Sequence, residues 1–583
     1  MKKIFFLLAA VLLFAVLLFF LKEPDIFRKE GQPESTPVPT PEIKEPEVLE
    51  NAWIVSSTEA SITYFFEGEQ KTLSTKGKLQ EPLESVVGDL TVQGEEIVSL
   101  VVKPDKITAK VLRADANSME LEGYGILPLA EGFRVYRLYD GVAEEPSEKI
   151  LVGTEDTEFI LEGGTLCAGI LVKKPELRNI RVLIGTNGYE GYYHEEIEVT
   201  GTCGFTVVCG ETKETYEAGE RCRLTKESFQ KNAGRRVIMP EKVDGKLTVC
   251  HLKRSSGTPS YRGTLEVECR EEGLLLVNEV TMEEYLYGVL PSEMPSSFGA
   301  EALKAQAICA RSYAYTELLA NRYAAYGAHV DDSVASQVYN NTGETEASIL
   351  AVKETHGQVL MYGDEVAQCY YFSTSAGHTA SVTDVWEYAK EVTYLSGKPT
   401  TYDADSPWYR WQTFLSFREL EENMEQALKE RYAAVPEQIL TYDAATETFV
   451  SKPIAELGSL QRIRVEERGK GGIATQLLIV GSKGVYLVKK EYNIRSMLAP
   501  LGKQIYRENG ETVSGAALLP SAFFTLQKGM YREETGYLVT GGGYGHGVGM
   551  SQCGANAMAQ AGYSCDDIIN EYYPGTELGF IYQ

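Results

Sequence analysis

Residues 4–21 form an unbroken run of eighteen apolar side chains behind Lys2 and Lys3. At about 1.5 Å per helical residue such a run spans roughly the hydrocarbon core of a bilayer, which leaves it no place in an aqueous fold. The run passes from Phe19-Phe20-Leu21 straight into Lys22-Glu23-Pro24, with no small-x-small exit of the kind a signal peptidase cuts. The expectation is one uncleaved transmembrane helix over residues 1–22. With Lys2 and Lys3 held on the cytoplasmic side, everything after residue 22 is expected outside the cytoplasm, on the cell membrane.

The remaining chain divides by composition. Residues 23–50, with Pro33, Pro37, Pro39 and Pro41 among Glu and Thr, read as a stiff solvated linker. Residues 51–178 carry short alternating runs such as Ile62-Thr63-Tyr64-Phe65-Phe66 and Phe133-Arg134-Val135-Tyr136 between Gly, Asp and Glu turns, the pattern of a β-rich domain. Nothing in it converges on chemistry, which leaves a spacer, the favoured reading, or a wall-binding module. Residues 179–583 mix strands with helices and are read as one α+β domain with an inserted lobe near 400–530; the expected fold class is α+β. The longest helix of the soluble part is expected from Gly299 to about Arg322, rich in Ala and free of internal Pro, with Lys304 and Arg311 on one face.

The formal net charge of −27 argues against a nucleic-acid partner, because phosphate contact needs a basic surface. The ten cysteines include no C-x-x-C pair and no zinc-finger spacing, so no metal and no cofactor are expected. Cys309, inside the apolar helical pattern, reads as a buried thiol.

Three runs hold side chains able to do chemistry. In Pro291-Ser292-Glu293-Met294-Pro295, prolines bracket a glutamate beside apolar neighbours; desolvation would raise its pKa, whereas Lys304 and Arg311, if close, would lower it. From spacing alone Glu293 reads as an ordinary carboxylate in the loop before a helix. The glycine-dense run from Gly541 to Gly549 lacks the Lys-Ser/Thr of a phosphate loop. It reads either as a flexible hairpin or as a backbone that closes on a bulky ligand, with Tyr544 as stacking face and His546 as polar contact. In Phe372-Ser373-Thr374-Ser375-Ala376-Gly377-His378, Ser375 and His378 suggest a nucleophile and base, but only Asp384 is available as orienting carboxylate and no G-x-S-x-G elbow exists, so a serine hydrolase is not expected.

Taken in order, Val277-Asn278-Glu279, Glu284-Tyr285-Leu286-Tyr287-Gly288-Val289, Ser292-Glu293-Met294-Pro295, Ala310-Arg311-Ser312-Tyr313, Gln337-Val338-Tyr339, Phe372-Ser373-Thr374-Ser375 and the run from Gly545 to Ala555 resemble the stage II sporulation protein D and amidase-enhancer family, from about residue 180 to the end. The resemblance implies a lytic transglycosylase that cuts the β-1,4 bond after N-acetylmuramic acid in peptide-stripped peptidoglycan strands and leaves 1,6-anhydro ends. It implies Glu293 as the catalytic acid/base, with Lys304, Arg311, Ser373 and Ser375 lining the cleft between the long helix and the glycine loop and His546 and Gln552 on its opposite wall; Tyr544, from the loop's own chemistry, joins them as a substrate contact. The alternative it leaves open is a non-catalytic binder that enhances an N-acetylmuramoyl-L-alanine amidase; glycan strands and a cell-wall amidase are the implied partners. Some members of the family carry a Cys/His zinc site before the Q-V-Y run. This chain has His329-Val330-Asp331-Asp332 there and no cysteine, so any ordering that zinc provides elsewhere is expected to come from packing.

Overall fold

The computed structural model describes residues 45–230, 234–387, 391–531 and 533–582. The expected transmembrane helix and nearly all of the linker lie outside the described residues, and among the described residues no helix is long and apolar enough to cross a membrane. The first strand, Glu47–Ser57, begins inside the stretch read as linker.

The alternating runs fold as strands, and the chain is α+β, rich in strands with few helices. Two units are built before residue 172. Glu47–Ser57, Ser61–Phe66, Glu69–Thr75, Glu96–Val102 and Glu84–Gln93 close into a barrel in that order, with Ile54, Ile62, Tyr64 and Leu90 turned inward by the two-residue period. A seven-stranded sheet over residues 105–171 follows, and Trp53, Phe65, Tyr136 and Ile160 pack the two together.

The third unit organises the C-terminal region. Its sheet runs Thr212–Tyr216, Phe205–Cys209, Arg236–Pro240, Thr264–Cys269, Leu274–Thr281, Asn179–Leu183, Val330–Asp331. Leu274–Thr281 feeds directly into helix Met282–Glu293, where the Thr281 hydroxyl accepts the Glu284 N–H and caps the helix start. Helix Ala300–Ala320 then crosses behind it, close to the expected span, and packs against helices Met282–Glu293, Glu346–Glu354, Gln552–Gln560 and Cys565–Tyr572. A helix enclosed on all sides needs small residues, and Ala302, Ala305, Ala307, Ala310 and Ala314 are buried accordingly. Cys309 is buried as a free thiol, and all ten cysteines are unpaired. Residues 411–541 add two five-stranded sheets and helix Phe417–Ala434, whose start is fixed by reciprocal hydrogen bonds between Ser416 and Glu419.

The β units are docked on this region through charged groups. Arg181, fully buried in Asn179–Leu183, makes two 2.8 Å bonds to the carboxylate of Glu266 and a further pair with Glu279. Lys110, from the seven-stranded sheet, reaches Glu279 at 2.8 Å, and Arg235 joins Glu120 of that sheet to Glu268. Burial alone would push the Glu266 carboxyl up, but the Arg181 guanidinium outweighs it and holds the group below its ordinary range. A depressed carboxylate adds stability above its unfolded pKa and loses it as pH falls through the folded value. Arg181→Ala, which removes the bidentate partner of buried Glu266 and leaves Glu279 to Lys110 alone, is therefore expected to cost roughly 3–5 kcal/mol at neutral pH. Denaturant unfolding should show that penalty shrinking as pH drops below about 4; a loss under about 1 kcal/mol at pH 7 would show that the network carries little stability.

Candidate active site

Glu293 is the last residue of helix Met282–Glu293, not a loop residue ahead of a helix. The helix ends there because Met294 precedes Pro295, which disfavours helical backbone, and Met294 is extended at φ −132°, ψ 133°. The glutamate side chain is thereby delivered at a helix C-terminus, where carbonyl dipoles already oppose a negative charge.

The carboxyl is densely surrounded, yet the residue keeps some solvent-accessible surface, the combination of a crevice floor and not of sealed core. Oε1 accepts the Val338 N–H at 2.7 Å. Oε2 has no protein partner among the described residues and is not one of the sealed polar atoms, so it faces the solvent side. Burial pushes the carboxyl up to about 7, and the Val338 hydrogen bond only partly opposes that shift.

The two cations of the long helix lie elsewhere. Arg311 is fully buried and bonds both oxygens of Glu283, at 2.9 and 2.8 Å, and the carbonyl of Gln358 at 2.9 Å. Lys304 pairs with Glu301 and Glu354 at 2.9 and 2.7 Å. Both share a helix face, as the spacing implies, but that face meets helices and not the crevice. The expectation that Arg311 lines a cleft gives way to a core ion pair, and neither cation depresses the Glu293 pKa.

The distant motifs do converge on Glu293. Tyr371–Phe372 pairs in parallel with Met550–Ser551, bringing the F-S-T-S and G-M-S-Q runs side by side. Gln552 Nε2 donates to the Glu293 carbonyl at 3.0 Å, tying the C-terminal helices to the helix end. Half-buried Ser373 accepts the Cys553 N–H at 2.9 Å through its carbonyl. Ser375, by contrast, is buried: its hydroxyl accepts the Gly377 N–H and donates to the carbonyl of His378, so it shapes a turn and does not line the crevice. The His378 imidazole contacts the Thr379 carbonyl and Asp384 holds the Lys470 amide, so no serine triad forms.

The glycine loop closes on protein. Gly549 has φ +76°, and a Cβ there would run into the Tyr370 carbonyl. Its small size brings the loop against the backbone leading into the Tyr371–Phe372 strand, so the close approach is to protein. His546 packs on Trp386 and Phe372 with ring centroids 5.0 and 5.8 Å away, accepts the Val548 N–H at Nδ1, and bonds the Tyr371 backbone. Burial lowers it to about 4, so it is a neutral strut. Tyr544 is 42% exposed beside Trp408, at 4.7 Å between centroids.

Sequence reasoning missed Asp403. Buried in a loop, it accepts the Ser375 N–H at 2.9 Å and the Ser551 hydroxyl, and so clamps the two converging runs together. Burial lifts it to about 6, against those hydrogen bonds. Nothing in Tyr402-Asp403-Ala404 marks it, because its partners lie 28 and 148 residues away.

The segment implied as a zinc site in relatives is fully engaged here. His329 uses both ring nitrogens, on the Arg181 N–H and the Val152 carbonyl, while Asp332 holds Arg254 and the Gly185 N–H, each at 2.8 Å. Asp331 takes the hydroxyls of Tyr192 and Ser333. This donor set does not fit a zinc ion, and no group of three metal-binding side chains gathers among the described residues. The loop is ordered within the protein, with the buried Arg254–Asp332 ion pair among its contacts.

A family model described as Stage II sporulation protein matches residues 270–362, and a model described as a domain of unknown function matches residues 435–549. The chain is 31% identical over 307 residues to the amidase enhancer of Bacillus subtilis, covering 50% of this chain and 40% of that protein. It is 30% identical over 317 residues to stage II sporulation protein D of Bacillus subtilis, covering 52% of this chain and 75% of the relative. The same protein of Bacillus amyloliquefaciens matches at 30% over 318 residues, again with 75% covered. The matched region of the family model carries Glu293, Arg311 and the Q-V-Y run, and on these similarities the chain belongs to the stage II sporulation protein D family.

Proposed function

We propose that the chain cuts peptidoglycan glycan strands as a lytic transglycosylase, with Glu293 as its acid and then its base. The observation that carries this reading is the carboxyl itself: one oxygen held by the Val338 N–H, the other without a partner and no cation beside it among the described residues, and a pKa lifted to about 7. Such a group is protonated often enough near neutrality to donate, and basic enough afterwards to accept.

In this mechanism the Glu293 proton passes from Oε2 to the glycosidic oxygen as the C1–O bond breaks. The resulting carboxylate then takes the proton of the C6 hydroxyl, whose oxygen bonds C1 and closes the 1,6-anhydro ring. No water is consumed and one carboxyl suffices, so no second carboxylate is required as nucleophile. The half-exposed Ser373, linked through Cys553 and Gln552 to the end of the Glu293 helix, offers a polar contact for a sugar, and the exposed Tyr544 offers an aromatic face. The same reading places the enzyme outside the cytoplasm, tethered by residues 4–21, where its substrate is found.

A second reading rests on the name of one relative, the amidase enhancer: a protein that binds glycan or a cell-wall amidase without cutting. Incubation with peptide-free glycan strands followed by mass spectrometry separates the two. Anhydro-sugar ends support cleavage; intact strands together with stimulation of an amidase support the second reading.

Glu293→Gln keeps the shape and the Val338 hydrogen bond but has no proton to transfer, and is expected to lower the cutting rate at least about 10²-fold. In the wild-type chain kcat/KM should be level below pH 7 and fall about tenfold per pH unit above it, because rising pH removes the acid; a limb starting near pH 5 would contradict the lifted pKa. Stability of the wild-type chain should fall over the same rise in pH. A carboxyl with a raised folded pKa contributes stability below its unfolded pKa and loses it as pH rises through the folded one. Glu293→Gln is therefore expected to be more stable than wild type by about 1–3 kcal/mol at pH 8, and equal to it near pH 4, in thermal or denaturant unfolding.

A further inference from the structure

The crevice holds a second polar group that the mechanism above does not use. Tyr371 lies on the short strand paired with Met550–Ser551 and, like Glu293, keeps exposed surface amid dense surroundings. Its phenol oxygen accepts from Gln337 Nε2 at 2.9 Å, and the very next residue, Val338, gives the N–H that holds Glu293 Oε1. Consecutive residues thus hold the phenol and the carboxyl, which lie near enough for the Glu293 charge to act on the phenol. Burial first, and the Glu293 charge second, keep the phenol well above its ordinary pKa, so it stays a neutral donor.

The direction of its proton follows from the Gln337 amide. Gln337 Nε2 also donates to the Ala310 carbonyl at 3.2 Å, and its Oε1 accepts the Tyr285 hydroxyl at 3.2 Å. A carbonyl has no proton to give, which fixes the nitrogen on that side of the amide. The nitrogen therefore occupies a lone pair of the Tyr371 oxygen, and the phenol proton must point elsewhere. It meets no acceptor among the described residues.

We infer that Tyr371 is a further substrate-contacting residue: its hydroxyl donates a hydrogen bond to an oxygen of the amino-sugar unit seated over Glu293. The inference rests on the reading of this crevice as a glycan site. A purely structural tyrosine at this position would have its donor satisfied within the protein. Here the Tyr285–Gln337 pair turns the donor away from the amide and leaves it free for a sugar oxygen.

The test uses the full-length chain carrying Glu293→Gln, so that strands stay whole, with and without Tyr371→Phe, and measures affinity for peptide-free glycan oligomers by calorimetry. Loss of the hydroxyl is expected to weaken binding roughly tenfold, the size of one hydrogen bond to a ligand. Incorporation of 3,5-difluorotyrosine at 371, which keeps the hydroxyl and makes it a stronger donor, is expected to tighten binding and guards against a folding defect of the phenylalanine variant. Unchanged affinity in both variants overturns the inference, even if the wild-type chain cuts strands. Weakened binding by Tyr371→Phe in a chain whose wild type leaves strands intact supports the inference and refutes the transglycosylase reading. No binding by Glu293→Gln at all overturns both.

Discussion

The hydrogen bond from the Val338 N–H to Glu293 is the contact on which the site depends, because it holds one carboxyl oxygen while leaving the other free. A second strong donor on the same carboxylate, or a guanidinium beside it, would pull its pKa down and leave an ordinary anion. The fold avoids this by a specific arrangement. Arg311, only eighteen residues further along the chain, is turned the other way and neutralised by Glu283, so its charge is spent in holding helices together. Desolvation then acts on Glu293 almost unopposed.

Holding Val338 in place is the work of its neighbours. Tyr339 donates to Asn278 at 2.9 Å, and Asn278 in turn donates to the carbonyls of Arg262 and Thr264, anchoring the Q-V-Y run to the central sheet. Gln337 faces the other side and ties Tyr285, Ala310 and Tyr371. Three consecutive residues thus connect sheet, acid and strand. Asp403 and Gln552 perform the equivalent task from the C-terminal side, so the crevice is assembled from segments spread over some 260 residues of chain. An ionic joint behind it fixes the seven-stranded sheet of the N-terminal half to the same central sheet.

Local elements were legible in the sequence. The Ala-rich helix follows from propensity, and the strands of the first β units follow from their alternation. The importance of Glu293 was legible only through resemblance to a family, since a glutamate between prolines has no distinctive spacing of its own. What the sequence hid was direction. The shared helix face of Lys304 and Arg311 was correctly deduced, but nothing local says whether that face meets solvent, substrate or another helix. Ser375 and the glycines were misdirected for the same reason: a turn-forming hydroxyl and a glycine that admits a carbonyl look identical, in sequence, to groups awaiting a ligand. Asp403 left no signal at all because its role exists only once strands distant in sequence are paired.

The central claim is that the open oxygen of Glu293 meets a glycosidic oxygen. A crystal structure of the Glu293→Gln chain with a peptide-free N-acetylglucosamine–N-acetylmuramic acid oligosaccharide tests it most directly. The account predicts the side-chain atom replacing Oε2 at about 2.6–3.2 Å from the oxygen that links the two sugars. A saccharide bound away from this crevice, or seated in it with the linking oxygen out of hydrogen-bonding reach of residue 293, would contradict the account.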